Sequence, residues 1–309
     1  MILKILLLLA ALYVIFILAP AILMFIKIFY LPKGGEYYTA RDRSKPYYKP
    51  YLARMDAAET FFRQTAPCKK VTINARDGTE LNGFYYGQNS ERTAIFVHGY
   101  RASPVFCFGP LAKELYDRSF NLLFTVNRGH GDGGGGCTTL GIREQYDVID
   151  WVNRASAQPG TEKLLLCGVS MGCAAVSYAS DKQESGKIRA MVLDCGFTCG
   201  YDQMVLDCRR RHLPPFLLMP LIRLLARLIL KIDIRTPVAD SLRHTEIPAL
   251  FLHGVEDGTV PIEQGRTNFE SCASEKEWIA VEGAGHTAAF LAGGETVKNR
   301  VLGFIDRYL

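Results

Sequence analysis

Charge is scarce in this chain: of 309 residues only 22% are Asp, Glu, Lys or Arg, and the net charge is a modest +5. No basic stripe interleaved with aromatics appears that would track a phosphate backbone, which excludes nucleic acid as a partner. Disordered chains are also excluded, because 49% of the residues are hydrophobic and a chain of this length buries a large single core. Paired cysteines are missing too. Nine cysteines, an odd number, are scattered from Cys68 to Cys272 without metal-ligand spacing, which fits small buried hydrophobes in a reducing compartment better than a disulfide framework. Cys195 and Cys199 form a C-x3-C with no second pair nearby, so core packing is expected and no metal or cofactor. There is no internal repeat.

What is present begins with a membrane segment. Residues 5–26 carry no charge between Lys4 and Lys27, and a helix of that length, rising about 1.5 Å per residue, crosses a hydrocarbon core of roughly 30 Å. A cleaved signal competes, with Ala19-Pro20-Ala21 as its small-residue site. Against it, the apolar run continues through Ile22-Leu23-Met24-Phe25 and exceeds the signal-core length of about 7–15 residues. One lysine precedes the segment, whereas Lys27, Lys33, Arg41, Arg43 and Lys45 follow it; the positive-inside rule then directs the remainder of a single-pass protein to the cytoplasm. Residues 1–30 are thus expected as the transmembrane helix. Residues 31–70 read as a juxtamembrane linker, rich in Lys, Arg, Tyr and Pro over 32–50, leading into a helix over 52–65.

From residue 71 onward, short β-rich runs alternate with longer helical patterns, the signature of an α/β protein with a mostly parallel, twisted sheet and helices on both faces. Runs 71–75 and 81–86 flank Asp77-Gly78, a hairpin signal. Continuous apolar runs at 94–97, 122–126, 164–168, 190–193, 249–253 and 277–281 fit buried parallel strands. Ligands of such sheets bind beyond the carboxyl ends of the strands, and the reactive side chains fall there.

Gly168-Val169-Ser170-Met171-Gly172 follows one apolar run and precedes a helix of small residues. Glycines two before and two after the serine let its hydroxyl project from a crowded strand-to-helix turn, which makes Ser170 the candidate nucleophile. A serine hydroxyl requires a base, and six histidines compete. His286, in Gly283-Ala284-Gly285-His286 after the last strand, lies on a loop able to reach over the sheet. His98 and His253 precede glycines at strand ends and fit loop-fixing roles, His130 sits in Arg128-Gly129-His130-Gly131, and His212 and His244 stand in polar stretches. Asp257, on the loop leaving the penultimate strand, is the expected acidic partner, with Glu256 and Asp194 as competitors. Oxyanion donors are expected from the Met171 N–H, by its position after the nucleophile, and from the Tyr100 N–H in His98-Gly99-Tyr100. The Tyr100 phenol either adds a donor or lines the pocket.

With Ser170, Asp257 and His286 in that chain order, residues 71–309 resemble the α/β-hydrolase superfamily, most closely its single-pass, membrane-associated esterase-like members related to Bem46 and the serine aminopeptidase group. His98-Gly99-Tyr100, Asn127-Arg128-Gly129-His130-Gly131, Asp147 with Trp151, and His253-Gly254 with Asp257 and Val260-Pro261 carry the likeness. It implies a serine hydrolase cleaving carboxylic esters of small-molecule or lipid acyl substrates, the alternatives being a peptidase or amidase using the same residues, transfer to an acceptor other than water, or an idle binding protein on the same fold. Where relatives carry a serine after the Arg-Gly-His-Gly segment, this chain has Asp132 and four glycines, implying a pliable loop. The resemblance also implies a helical cap over about 197–245. Within it, Arg223, Arg227 and Lys231 recur every four residues on one face, giving either a basic face resting on anionic headgroups or a solvated face on a cap that packs its leucines inward.

Overall fold

In the computed structural model, residues 2–31 and 44–309 are described. The linker stretch 32–43, with Lys33, Arg41 and Arg43, lies outside the described residues. Leu164-Leu165-Leu166-Cys167 has no polar face to show to water, and its strand β5 (Lys163–Val169) is buried along both faces near the middle of an eight-stranded sheet. The other strands are β1 (Lys69–Asn74), β2 (Glu80–Tyr86), β3 (Arg92–Val97), β4 (Asn121–Thr125), β6 (Ile188–Asp194), β7 (Ala249–Gly254) and β8 (Lys276–Val281). Their order is β1-β2-β4-β3-β5-β6-β7-β8. The β1–β2 and β2–β4 pairs are antiparallel and the rest parallel, so the hairpin expected around Asp77-Gly78 opens the sheet. The chain runs from β3 outward to β4 and then crosses back to β5, and this switch in direction opens the crevice in which α/β sheets hold ligands.

Helices α4 (Pro104–Asp117), α5 (Glu144–Ser156), α6 (Met171–Ala179), α10 (Ile262–Ser271), α11 (Ala289–Ala292) and α12 (Gly294–Tyr308) cover the sheet. Every residue of α6 is buried, because its small side chains let the helix lie close against the strands. Between β6 and β7 come α7 (Gly200–Arg210), α8 (Pro215–Leu225, prolonged by a wider turn over Ala226–Leu230) and α9 (Val238–Leu242). They occupy the region expected to form the cap.

The N-terminal helix comprises α1 (Ile2–Tyr13), a wider turn over Val14–Leu18, and α2 (Ala19–Phe29). Ala11–Phe29 is long and apolar enough to cross a membrane. Its last turns are not free of the rest of the protein. Ala21, Phe25 and Phe29 are buried in the same apolar cluster as Leu218, Met219 and Ile222 of α8, and α2 packs along α8. The segment after the linker also packs inward. A 3-10 helix over Pro46–Tyr51 leads into α3 (Leu52–Thr60), and Tyr48 and Met55 share a cluster with Phe106, Ala288 and Leu291.

The glycine run after Asp132 differs from the pliable loop the sequence suggested. Gly134 has φ +69, and a Cβ there would lie 1.7 Å from the Glu80 carbonyl oxygen, so only glycine fits. The Asn82 Nδ2 donates to the Asp132 carbonyl at 2.5 Å and the Lys70 ammonium pairs with the Asp132 carboxylate at 2.7 Å. Within the run, Gly133 and Gly134 serve close packing.

Candidate active site

Ser170 joins β5 to α6 with φ 54 and ψ −114, a backbone region that costs a non-glycine residue about 1–3 kcal/mol and persists only where its surroundings enforce it. They do so through close approach: a Cβ on Gly172 would sit 1.8 Å from the Val97 carbonyl oxygen. The Ser170 N–H donates to the Asp194 carbonyl at 2.9 Å. Arg101, Cys195 and Thr287 also have positive φ, so strained backbone gathers at the ends of β3, β5, β6 and β8. Only the strain at Ser170 has a sequence signal, its flanking glycines Gly168 and Gly172.

The structure brings together the three residues that the sequence singled out from distant positions. The Ser170 hydroxyl lies 3.0 Å from His286 Nε2, and His286 Nδ1 lies 2.7 Å from Asp257 Oδ2. With Nδ1–H donating to the carboxylate, Nε2 is left to accept the serine proton. Both Ser170 and His286 are buried. The other carboxylate oxygen, Asp257 Oδ1, accepts the Thr259 N–H at 2.7 Å and the Val260 N–H at 2.9 Å. Burial raises the Asp257 carboxyl, but its electrostatic attraction to the His286 ring, hydrogen bonds from His253 and His286 and the Val260 N–H together hold it well below the usual carboxylate range. His253 stands beside it, its Nε2 donating to the Val260 carbonyl at 3.0 Å and lying 3.5 Å from Asp257 Oδ2. Of the competing acids, Glu256 is exposed. Asp194 is buried, its Oδ1 has no hydrogen-bond partner, and burial pushes its carboxyl up to about 7.

The loop after β3 carries Tyr100 past the nucleophile: a Cβ on Gly99 would lie 3.4 Å from that of Ser170, and Met171 opens α6 directly after it. Two buried histidines fix this loop. His98 donates from Nδ1 to the Gly99 carbonyl at 2.7 Å and accepts the Asn127 N–H at Nε2 at 3.0 Å. His130 donates from Nδ1 to the Arg128 carbonyl at 3.0 Å and accepts the Arg101 N–H at 2.9 Å. Burial, reinforced by the neighbouring His130, pulls His98 down to about 3. Arg128 anchors the second loop by pairing through Nε with Asp147 at 2.7 Å and through Nη1 with Asp77 at 2.7 Å.

Two contacts lay beyond sequence reasoning. The Tyr100 phenol donates to the Ile28 carbonyl at 2.9 Å, and Arg101 Nη2 donates to the Lys27 carbonyl at 2.5 Å. The last carbonyls of the N-terminal helix, which have no partner within a helix, are therefore capped by the loop beside Ser170, and the Phe29 carbonyl accepts the Thr138 N–H at 2.9 Å. On the opposite side of the site, the Tyr48 hydroxyl donates to the His286 carbonyl at 3.0 Å and meets the Thr287 hydroxyl. Beyond its linker-like surroundings, nothing in the sequence marks that tyrosine.

The ligand atoms of Cys195, Asp257 and His286 lie within 4.8 Å of one another, close enough to raise the question of a metal. His286 Nδ1 and both Asp257 oxygens are already engaged in hydrogen bonds, and burial with the nearby Asp194 and Asp257 carboxylates raises the Cys195 thiol well above its usual range, so the cluster is accounted for by its own hydrogen bonds. Cys199 instead accepts the Asp202 N–H at the start of α7.

A mostly parallel eight-stranded sheet, helices on both faces, and an elbow serine at the crossover strand define the α/β-hydrolase fold. The family described as serine aminopeptidase, S33, matches residues 88–241, a span that includes Ser170 and ends before Asp257 and His286. The protein YfhR of Salmonella typhi is 28% identical over 249 residues, covering 73% of this chain and 76% of that one. Human ABHD12B is 29% identical over 201 residues, or 63% of this chain and 50% of that protein. Among solved structures, an esterase of Pyrococcus furiosus superposes with a TM-score of 0.66 at 23% identity, covering 79% of this chain and 92% of the esterase. These likenesses make the chain a hydrolase-type α/β protein, and its N-terminal helix fits a membrane anchor.

Proposed function

We propose that the protein is a membrane-anchored serine hydrolase that cleaves carboxylic esters through an acyl-enzyme on Ser170. The observation that carries this reading is the continuous path from Ser170 Oγ to His286 Nε2 at 3.0 Å and from His286 Nδ1 to Asp257 Oδ2 at 2.7 Å. Ser170 Oγ attacks the ester carbonyl carbon while His286 takes its proton. Asp257 holds the ring in the Nδ1–H tautomer and stabilises the imidazolium. The Met171 and Tyr100 backbone N–H groups hold the oxyanion, each donor contributing about 3 kcal/mol to the barrier reduction. When the tetrahedral adduct collapses, the C–O bond breaks and the alcohol leaves with the proton from His286; water then repeats the sequence and frees the acid. These steps use no metal or cofactor. The helix ending at Phe29 is the anchor, and the lysines and arginines that follow it put the hydrolase domain on the cytoplasmic side.

The family description favours a second reading, a peptidase acting with the same three residues. Side-by-side rates on p-nitrophenyl esters and aminoacyl p-nitroanilides separate the two. The expected result is turnover of esters in preference to anilides, with kcat falling about 10⁴-fold or more in Ser170→Ala. Preferential cleavage of the anilides, again lost in Ser170→Ala, would replace the esterase with the peptidase.

A further inference from the structure

Helix α8 buries Leu218, Met219, Ile222 and Ala226 on one side. Its opposite side is not the charged face that a cap on a water-soluble domain requires. Leu217, Pro220, Leu224 and Leu228 follow one another at intervals of three and four along the outward stripe, all of them exposed. Phe216 is 76% exposed, Leu228 68%, Ile229 51% and Leu224 50%. The positive charges expected to define this helix are drawn aside: Arg223 binds the Asp233 carboxylate through Nε at 3.0 Å and Nη2 at 2.8 Å, and Arg227 reaches the same carboxylate at 2.5 Å. Arg209, Arg210 and Arg211 before the helix, and Lys231 at its end, are exposed.

The depth of this face is set by its neighbour. α8 packs along α2 and the turn before it, a stretch within Ala11–Phe29. Nineteen residues of helix rise about 28 Å, close to the full hydrocarbon thickness. A helix lying against the last half of that span shares its depth. The exposed Ile22, Leu23 and Ile26 of α2 then continue the apolar surface begun by α8.

From this juxtaposition we propose that α8 is a second membrane contact, seated at the boundary of headgroups and acyl chains of the bilayer that holds the N-terminal helix, with Phe216, Leu224, Leu228 and Ile229 inserted among the acyl chains. The flanking arginines and Lys231 stand at headgroup level, as basic residues do beside interfacial helices. The occupant of the apolar face is phospholipid. The inference rests on the anchor reading of the N-terminal helix and is independent of the chemistry at Ser170.

Tryptophan reporters in the full-length protein test it. Phe216→Trp and Leu228→Trp report on α8, Leu23→Trp on the anchor, and Tyr146→Trp on a water-facing position of α5. Each variant is reconstituted in vesicles of phosphatidylcholine and phosphatidylglycerol with either native or dibrominated acyl chains, and emission is taken as the difference from the parent. The expected result is that brominated chains strongly quench both α8 reporters and the anchor reporter, and leave the α5 reporter unchanged. Quenching of the anchor reporter alone, with the two α8 reporters quenched by aqueous iodide as readily as the α5 reporter, would overturn the proposal while sparing the anchor. Loss of lipid quenching at all three apolar positions would remove the anchor reading as well.

Discussion

At the residue scale the site is governed by which nitrogen of each buried histidine carries its proton. His98 and His130 each donate from Nδ1 to a carbonyl and accept a backbone N–H at Nε2, so both must stay neutral for the loops beside Ser170 to hold their shape. An unfolded histidine protonates near pH 6.5, whereas folded His98 resists until about 3. Between those values the unfolded chain binds the extra proton. The stability His98 contributes is therefore complete above about pH 6.5 and is lost as pH falls toward 3, at up to about 1.4 kcal/mol per pH unit. Unfolding free energies of the parent and of His98→Asn in the same detergent check the sign. The gap between them is expected to narrow by about that slope from roughly pH 6 to roughly pH 4.5, and a gap independent of pH would show that His98 is not held neutral.

At the scale of elements, what stands out is how much of the site's support comes from the first fifty residues. The terminal carbonyls of the N-terminal helix accept from Tyr100 and Arg101, and the 3-10 helix Pro46–Tyr51 places Tyr48 under the loop of His286. Removing the Tyr48 hydroxyl leaves the buried His286 carbonyl without that donor, a loss of about 1 kcal/mol. In Tyr48→Phe, kcat on a soluble ester is expected to fall about tenfold, in keeping with a shift of roughly 1.4 kcal/mol in the barrier, with KM little changed; an unaltered kcat would limit Tyr48 to packing. The strands were legible because a parallel strand buried on both faces must be continuously apolar, and the runs at 94–97, 164–168 and 249–253 each fall inside an observed strand. Ser170 was legible for a related reason: glycine at 168 and 172 records a backbone approach that no other residue permits. The Tyr48 and Tyr100 contacts were not. Neither hydrogen bond to a main-chain carbonyl leaves a pattern in sequence, since the acceptor is the same whatever the side chain. The regular recurrence of Arg223 and Arg227 did mark one helix face, but the single Asp233 that binds both lies on the turn beyond the helix, where spacing carries no information.

At the scale of the whole molecule, the sheet, helices α7 to α9 and the N-terminal helix converge on one place. Crossover at β3 and β5 opens the crevice, β7 and β8 deliver Asp257 and His286 to it, and the N-terminal helix is held both by α8 and by the loop that carries Tyr100. A serine beside a base on this framework is an enzyme's constellation only if its hydroxyl is reactive, and everything proposed for the site rests on that reactivity. Labelling the full-length protein in detergent with a fluorophosphonate, followed by peptide mass mapping, tests it directly. One adduct is expected, on Ser170, absent from Ser170→Ala and strongly slowed in His286→Ala; a folded protein that leaves Ser170 unmodified, or labels equally well without His286, would contradict it.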